Sequence, residues 1–190
     1  EQDNYLPPDN FQEQPPVGIA HRTSPTNIGL ALCSAMCAQE LGITDLTRVV
    51  SFIASMLGTM EKLQRYSGHF CNWYDTRTLR ALEPRYLSAV DCGNLCACLI
   101  TLQNWLLGKG FDALADRVQT LVSDMDFSIF YSYRRGLMHI GIDLEKGKAS
   151  PGLYDLMASE ARLTSYTAVS KGDVPRRHWR RLSRAMRSSG

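Results

Sequence analysis

The stretch Leu41-Gly42-Ile43-Thr44-Asp45-Leu46 decides the fold. A glycine stops one helix, and a Thr or Asp caps the next within three residues. Upstream, Ser24-Pro25 is an N-cap followed by a first-turn proline. From there Ile28, Leu30, Leu32, Cys33, Met36, Cys37 and Leu41 give a broad apolar face. Downstream, Leu46, Val49, Val50, Ile53, Met56, Leu57, Met60 and Leu63 repeat the i, i+3, i+4, i+7 pattern. A turn this short leaves the two helices antiparallel and in contact.

The arrangement recurs. Ser88 with Asp91 three residues later resembles a capping box. The helix that follows, to about Leu107, is apolar almost all round and is expected to be deeply buried. Gly108-Lys109-Gly110 turns into a fourth helix. Ser150-Pro151 predicts the start of a fifth, carrying Leu153, Tyr154, Leu156, Met157, Ala161, Leu163 and Tyr166, and Asp173-Val174-Pro175 starts a sixth. Between Phe127 and Asp143 the period falls to two around Arg134-Arg135-Gly136, as in a β-hairpin. Residues 1–20, with Pro7-Pro8 and Pro15-Pro16, form an extended arm. Tyr5, Leu6 and Phe11 dock it on the remainder, 21–190. The fold class is therefore mainly α. Three helical hairpins are tight at one end and joined by long loops at the other, which is part of an (α/α)6 toroid, about half of it, with a small β-hairpin excursion.

Among those long loops, Gly68-His69-Phe70-Cys71-Asn72-Trp73-Tyr74-Asp75-Thr76-Arg77-Thr78 packs aromatic rings beside amides and a carboxylate. Such a set suits a sugar-binding cleft, with flat CH faces to stack on and fixed polar groups for hydroxyls. It equally suits an aromatic plug at the end of a helix bundle. Asp75 reads as a turn-former or as a ligand for sugar hydroxyls. Asp91 reads as a third-position helix residue or as part of the same mouth. His21 and Arg22 could line that mouth or hold the arm. Glu160, in Ala158-Ser159-Glu160-Ala161-Arg162, is expected on an otherwise apolar helix, an environment that raises a carboxyl pKa. The bland alternative pairs it with Arg162 or Arg85. Glu83 would orient Arg85, Asp155 would sit in a helix first turn, and His139 would be a core or edge residue.

The totals exclude several classes. Net charge is +2 over 190 residues, so no overall electrostatic partner is implied. The 6 cysteines lack tight C-x-x-C pairs, which argues against zinc; Cys33/Cys37 and Cys92/Cys96 read as core positions. No metal and no cofactor is expected. No run of about 20 apolar residues could span a membrane. The chain opens on Glu1 without a Met or a signal peptide, and is expected to be a piece of something longer. Arg176 to Arg187 is strongly basic and, alone, suggests nucleic acid or an acidic surface. A basic-tailed helical interaction or nucleic-acid-binding module is thus the rival from another class. No recognised nucleic-acid fold pattern accompanies the tail.

Several runs carry a resemblance: Tyr5-Leu6-Pro7-Pro8-Asp9-Asn10, Ala20 to Gly29, Gly68 to Thr78, Leu82-Glu83-Pro84-Arg85-Tyr86, Tyr154 to Leu163 and Lys171 to Pro175. Together they resemble the central, glucoamylase-like domain of cyclic β-1,2-glucan synthases, from Tyr5 to about Leu182. The resemblance implies an α/α toroid that binds linear β-1,2-glucan and closes it by anomer-retaining transglycosylation. The domain would work beside other domains of a large membrane enzyme, on the cytoplasmic side of the bacterial inner membrane. It assigns the acid/base role to Glu160 and substrate binding to Asn72, Trp73, Tyr74, Asp75, Asp91, His21 and Arg22. A related reading is an endo-β-1,2-glucanase, which hydrolyses rather than transfers. The chain stops near the family's mid-domain, and the Leu107–Phe111 junction is short. No second carboxylate suited to be the nucleophile is visible, so this chain alone is expected not to turn over substrate. Nucleic acid is not expected as a partner.

Overall fold

In the computed structural model, which describes residues 3–184, six helices fall into three successive pairs. They are α1 (Pro25–Glu40) with α2 (Leu46–Met60), α3 (Ala89–Gly108) with α4 (Asp112–Asp124), and α5 (Arg162–Lys171) with α6 (Arg177–Arg181). Ser24 caps α1 by accepting from the Asn27 N–H, and Asp45 caps α2 by accepting from Arg48 N–H. Each such cap contributes about 1 kcal/mol. Gly42, at φ +70°, carries the chain out of α1 in the left-handed region that glycine tolerates.

Helix α3 is the centre. It packs on α1, α4 and α5, while α2 lies against α1 and α4. Leu95, Cys96, Leu99, Leu102 and Leu106 are all fully buried, which is why its sequence is apolar on nearly every side. The odd helices form an inner row, α1–α3–α5, and two glycines set its spacing. Gly29 of α1 lies against Leu95 and Cys98 of α3. Gly93 of α3 lies against Thr164 of α5 so closely that a Cβ there would stand 2.6 Å from the Thr164 Cα. The N-terminal turns of the three helices therefore sit side by side.

The loops above those turns are stapled by five small antiparallel sheets. Strands β1 (Phe11–Gln12) and β2 (Gly18–Ile19) pair within the arm. Strand β3 (Arg22–Thr23) pairs with β6 (Tyr74–Asp75), setting Arg22 opposite Asp75 and joining the aromatic loop to the start of α1. Strands β4 (Arg65–Tyr66) and β5 (His69–Phe70) precede it. Strand β7 (Tyr86–Ser88) runs straight into α3 and pairs with β10 (Gly141–Asp143), which carries β11 (Lys148–Ala149) on its far side. Strands β8 (Tyr131–Ser132), β9 (Leu137–His139) and β12 (Leu153–Tyr154) make the last sheet.

Three expectations are corrected here. The β-hairpin exists, but Phe127–Phe130 is a 3-10 turn capped by Asp126, because Phe127 and Phe130 both turn inward onto His69. Ser150-Pro151 starts no helix: Tyr154 and Leu153 continue the two-residue alternation and pair with Met138 and His139. Helix α5 accordingly begins only at Arg162, and neither Asp155 nor Glu160 is helical. Of the cysteines expected in the core, Cys92 and Cys96 are buried, whereas Cys37 is exposed and Cys33 half-buried, on the open flank of α1. All six are free thiols.

Replacing Gly93 by Ala should force α5 off α3. We expect a loss of about 1–3 kcal/mol in urea unfolding. Gly108→Ala, where the added Cβ meets nothing within 4 Å, should be neutral or slightly stabilising. Equal stability of the two variants would refute the close contact.

Candidate functional site

Asp91 ties the inner row together. Its backbone N–H is capped by the Ser88 hydroxyl at 3.2 Å. Its carboxylate does not fold back to complete a capping box, because the Ser88 backbone is committed to the sheet opposite Gly141. Instead Oδ1 accepts from the Thr26 hydroxyl of α1 at 2.6 Å, and Oδ2 accepts from Asn72 Nδ2 of the aromatic loop at 3.1 Å. Asn94 Nδ2 donates to the Thr26 hydroxyl oxygen at 3.2 Å. Charge-assisted bonds of this kind are about twice as strong as neutral ones.

The aromatic loop divides into two parts. Asn72 and Trp73 remain half-buried at the mouth, while His69 and Tyr74 are fully buried. Tyr74 was expected to bind sugar and does not face the mouth. Its hydroxyl donates to the Gln64 carbonyl and accepts from the Cys71 N–H, so it plugs the core. Burial, with a further contribution from Cys71, pushes its pKa up. His69 stands edge-on to Phe127 and Phe130, its Nε2 2.8 Å from the Asp126 carbonyl oxygen. Burial pulls its pKa down to about 4.

The other residues at the mouth are fixed by local contacts. Asp75 is a turn-former: its Oδ1 accepts from the N–H groups of Arg77 and Thr78, and these bonds hold its pKa low. His21 Nδ1 lies 2.7 Å from an Asp3 carboxylate oxygen that also accepts from the Thr76 hydroxyl. The His21 and Thr76 contacts hold the Asp3 carboxyl below its usual range. Arg22 donates twice to Asp9 and lies over the Trp73 ring at 4.8 Å, closing one of its faces. Asn4 donates to the carbonyls of Thr76 and Arg77, so the arm straps this side of the loop.

Glu160 stands in the turn just before α5 and is exposed, not on an apolar helix face. Its partner is Tyr154, whose hydroxyl donates to Oε1 at 3.0 Å. Arg85, one of the expected alternatives, pairs with Glu145 at 2.7 Å. Burial, and then the hydrogen bond to and charge of Glu160, push the Tyr154 pKa up. Tyr86 shares a 2.9 Å hydrogen bond with Ser150, whose carbonyl lies 2.7 Å from His139 Nδ1. Thr26, Asn94, Tyr86 and Tyr154 are thus members of the cluster that the sequence did not single out. Only the position of Thr26, in the first turn beside His21-Arg22, hinted at it.

Four buried polar atoms of this region have no hydrogen-bond partner among the described residues: Asn72 Oδ1, Thr23 Oγ1, His69 Nδ1 and Ser159 Oγ. An unsatisfied buried acceptor costs about 1–3 kcal/mol, and in a native protein it calls for an explanation. The arrangement offers paired and unpaired hydroxyls and amides, two carboxylates and a one-sided indole face. That is the chemistry of a neutral, hydroxyl-rich ligand. Among the described residues no group of His, Cys, Asp and Glu could hold a metal ion, and no helix is long and apolar enough to cross a membrane.

No protein-family model matches the chain. Over 95% of its length it is similar, at 27% identity, to the cyclic β-(1,2)-glucan synthase NdvB of Rhizobium meliloti (strain 1021). It spans only 11% of that protein's length. Among solved structures it superposes on an endo-β-1,2-glucanase mutant from Talaromyces funiculosus in complex with β-1,2-glucan. The TM-score is 0.72 at 12% identity, over 96% of this chain and 45% of that one. It also superposes on a putative glucoamylase from Bacteroides fragilis NCTC 9343, with a TM-score of 0.67 at 15% identity, over 77% of this chain and 37% of that one. The resemblance read from the sequence is borne out, and so is the fold: part of a glucoamylase-like α/α toroid.

Asp91→Ala should strand Thr26 and Asn72 together and cost about 1–3 kcal/mol. Asp91→Asn should recover part of that loss; two variants as stable as the native chain would remove the tie. His69 generates a pH dependence. It stays neutral in the folded chain down to about pH 4 but titrates near 6.5 when unfolded. Between those values the unfolded state binds more protons, so its contribution is complete above pH 6.5 and declines as pH falls toward 4. Buried His178, also shifted down, acts in the same direction. From pH 7 to 5 His69 should contribute a loss of about 2 kcal/mol. His69→Gln should flatten the slope by that amount, and an unchanged slope would contradict the assignment.

Proposed function

We propose that this chain is the N-terminal half of a toroidal domain of a cyclic β-1,2-glucan synthase. In this reading the domain binds linear β-1,2-glucan at the mouth formed by the N-terminal turns of α1, α3 and α5, and closes it by anomer-retaining transglycosylation. The observation that carries the reading is the Asp91–Asn72–Thr26 cluster, which ties the starts of α3 and α1 to the loop that carries Trp73. The similarity to a cyclic β-1,2-glucan synthase, and the fold shared with a glucanase solved with β-1,2-glucan, supply the substrate class.

Each residue then has a role. A glucose ring stacks on the Trp73 face that Arg22 leaves open. Asp91 fixes the half-buried Asn72 side chain beside Trp73, and Asn72 hydrogen-bonds a sugar hydroxyl from there. His21 acts indirectly, by fixing the arm through Asp3, and Arg22 by closing the far face of Trp73. Asp75 shapes the loop.

Retaining transfer needs an acid to protonate the departing glycosidic oxygen and a nucleophile on the opposite side of the sugar, with carboxyl groups about 5–5.5 Å apart. Glu160 serves as the acid/base. Its proton passes to the leaving oxygen, and the same carboxylate then takes the proton of the incoming glucan hydroxyl. Tyr154, a hydroxyl kept protonated, orients it. The nucleophile comes from outside this chain, so the 190 residues alone bind glucan without turning it over. The surrounding domains of the parent, on the cytoplasmic face of the inner membrane, are the expected partners.

Calorimetric titration with β-1,2-gluco-oligosaccharides tests the binding half. The native chain should release heat with β-1,2- and not β-1,4-linked oligomers, and Asn72→Ala and Trp73→Ala should each weaken binding about tenfold or more. No heat, or indifference to both substitutions, would sink the reading. The chemical half is tested in the longer parent protein. There Glu160→Gln should lower cyclic glucan formation by 10²-fold or more while glucan binding survives. Hydrolysis products in place of rings would favour the glucanase alternative.

A further inference from the structure

Trp73 carries the proposed sugar platform, and the Arg22 guanidinium lies over one of its faces at 4.8 Å. The backbone explains why the two meet. Arg22 pairs with Asp75 across β3 and β6, and Trp73 stands two positions before Asp75. That is the diagonal spacing at which long side chains on adjacent strands come into reach. Reach alone does not keep an arginine in place, because its side chain has many rotamers. Arg22 is 48% exposed, so water competes for its guanidinium unless another group holds it.

The arm supplies that group. Asp9 Oδ2 accepts from Arg22 Nε at 3.2 Å and from Arg22 Nη2 at 3.0 Å. The same carboxylate accepts from Asn10 Nδ2 at 3.0 Å and, through Oδ1, from Asn27 Nδ2 in the first turn of α1 at 3.2 Å. Four N–H donors are about as many as one carboxylate accepts. The Asp9 side chain is also only 16% exposed, which leaves it little to offer a ligand. Its contacts fix the guanidinium relative to the start of α1.

The docking of the arm does not hang on this carboxylate. Leu6 is buried, and the Asn4 carbonyl accepts from the Thr59 hydroxyl at 2.8 Å. Asn4 also donates to the Thr76 and Arg77 carbonyls, and Asp3 meets His21 and Thr76. At Asp9 itself, its backbone N–H donates to the Ala20 carbonyl, and the Ala20 N–H donates to the Asn10 carbonyl. The Asp9 side chain can therefore be removed while the strap stays down.

We propose that Asp9 is a positioning residue of the glucan site: it holds Arg22 over Trp73, so that one indole face is closed and the other is presented to a glucose ring. The inference rests on the proposed function, which gives Trp73 its sugar, and it extends the site to the arm. An indole backed on one side is already ordered in the free protein, and binding then costs less ordering.

Two measurements test it, and the first needs no sugar. Of the 3 tryptophans, Trp105→Phe and Trp179→Phe leave Trp73 as the sole indole, so acrylamide quenching of fluorescence reports it alone. In that background Asp9→Ala should raise the quenching constant about twofold as the second ring face opens, and Arg22→Ala should do the same. The second measurement is titration of the full 190-residue chain with β-1,2-gluco-oligosaccharides. Asp9→Ala should weaken binding about three- to tenfold. Asp9→Ala combined with Arg22→Ala should bind no more weakly than Arg22→Ala alone, since the two side chains act as one unit. Asn27→Ala cuts the other contact of Asp9 and leaves Arg22 held, so both readouts should stay native. Unchanged quenching in Asp9→Ala, additive losses in the double variant, or an Asn27→Ala loss as large as that of Asp9→Ala would overturn the proposal. Quenching that rises as expected in a chain that binds no oligosaccharide would instead sink the glucan reading and leave the placement of Arg22 by Asp9 standing.

Discussion

The close approach of α3 to its two inner neighbours is the constraint on which the remaining structure depends. Backbone-level contact at Gly29 and Gly93 brings three helix starts together, and only then can one carboxylate, Asp91, reach α1 and the aromatic loop at once. A larger side chain at either glycine would separate the helices before any polar contact formed. Packing precedes chemistry here: the polar cluster is the consequence of two missing β-carbons.

Helices read well from the sequence because their signals are local. Ser24-Pro25, Asp45 and Ser88 each act on a backbone N–H three residues away, and the apolar periodicity needs no knowledge of the partner face. The toroidal class followed from the alternation of tight turns and long loops together with analogy to toroid folds. Strand β12 was misread because Ser150-Pro151 carries a helix-start signal. What overrides it is distant, the pairing with β9 some fifteen residues back. The same error placed Glu160 on an apolar helix, whereas it occupies an exposed turn.

The site was legible in its composition and not in its geometry. Asn72, Trp73, Asp91 and Glu160 could be picked out by type. That Tyr74 turns inward could not, since its two hydrogen-bond partners, Gln64 O and Cys71 N–H, are backbone atoms that sequence does not distinguish. Asp75 had both readings open, and two backbone N–H groups decide for the turn. Thr26, Asn94 and Tyr154 lie on three different segments with no shared motif. Their membership comes entirely from the helix row.

The strap and the tie also bear on the order of folding. Asn4 reaches Thr76 across 72 positions, and Thr26 reaches Asp91 across 65, whereas each helical hairpin closes over a few turn residues. Local hairpins can form in microseconds, but long-range closures wait on their entropy cost. On closure cost alone the helical hairpins are expected to form ahead of the mouth. On that ordering, a chain interrupted during refolding would show a native far-ultraviolet spectrum while Trp73 still lacked the Arg22–Asp9 pair over one of its faces.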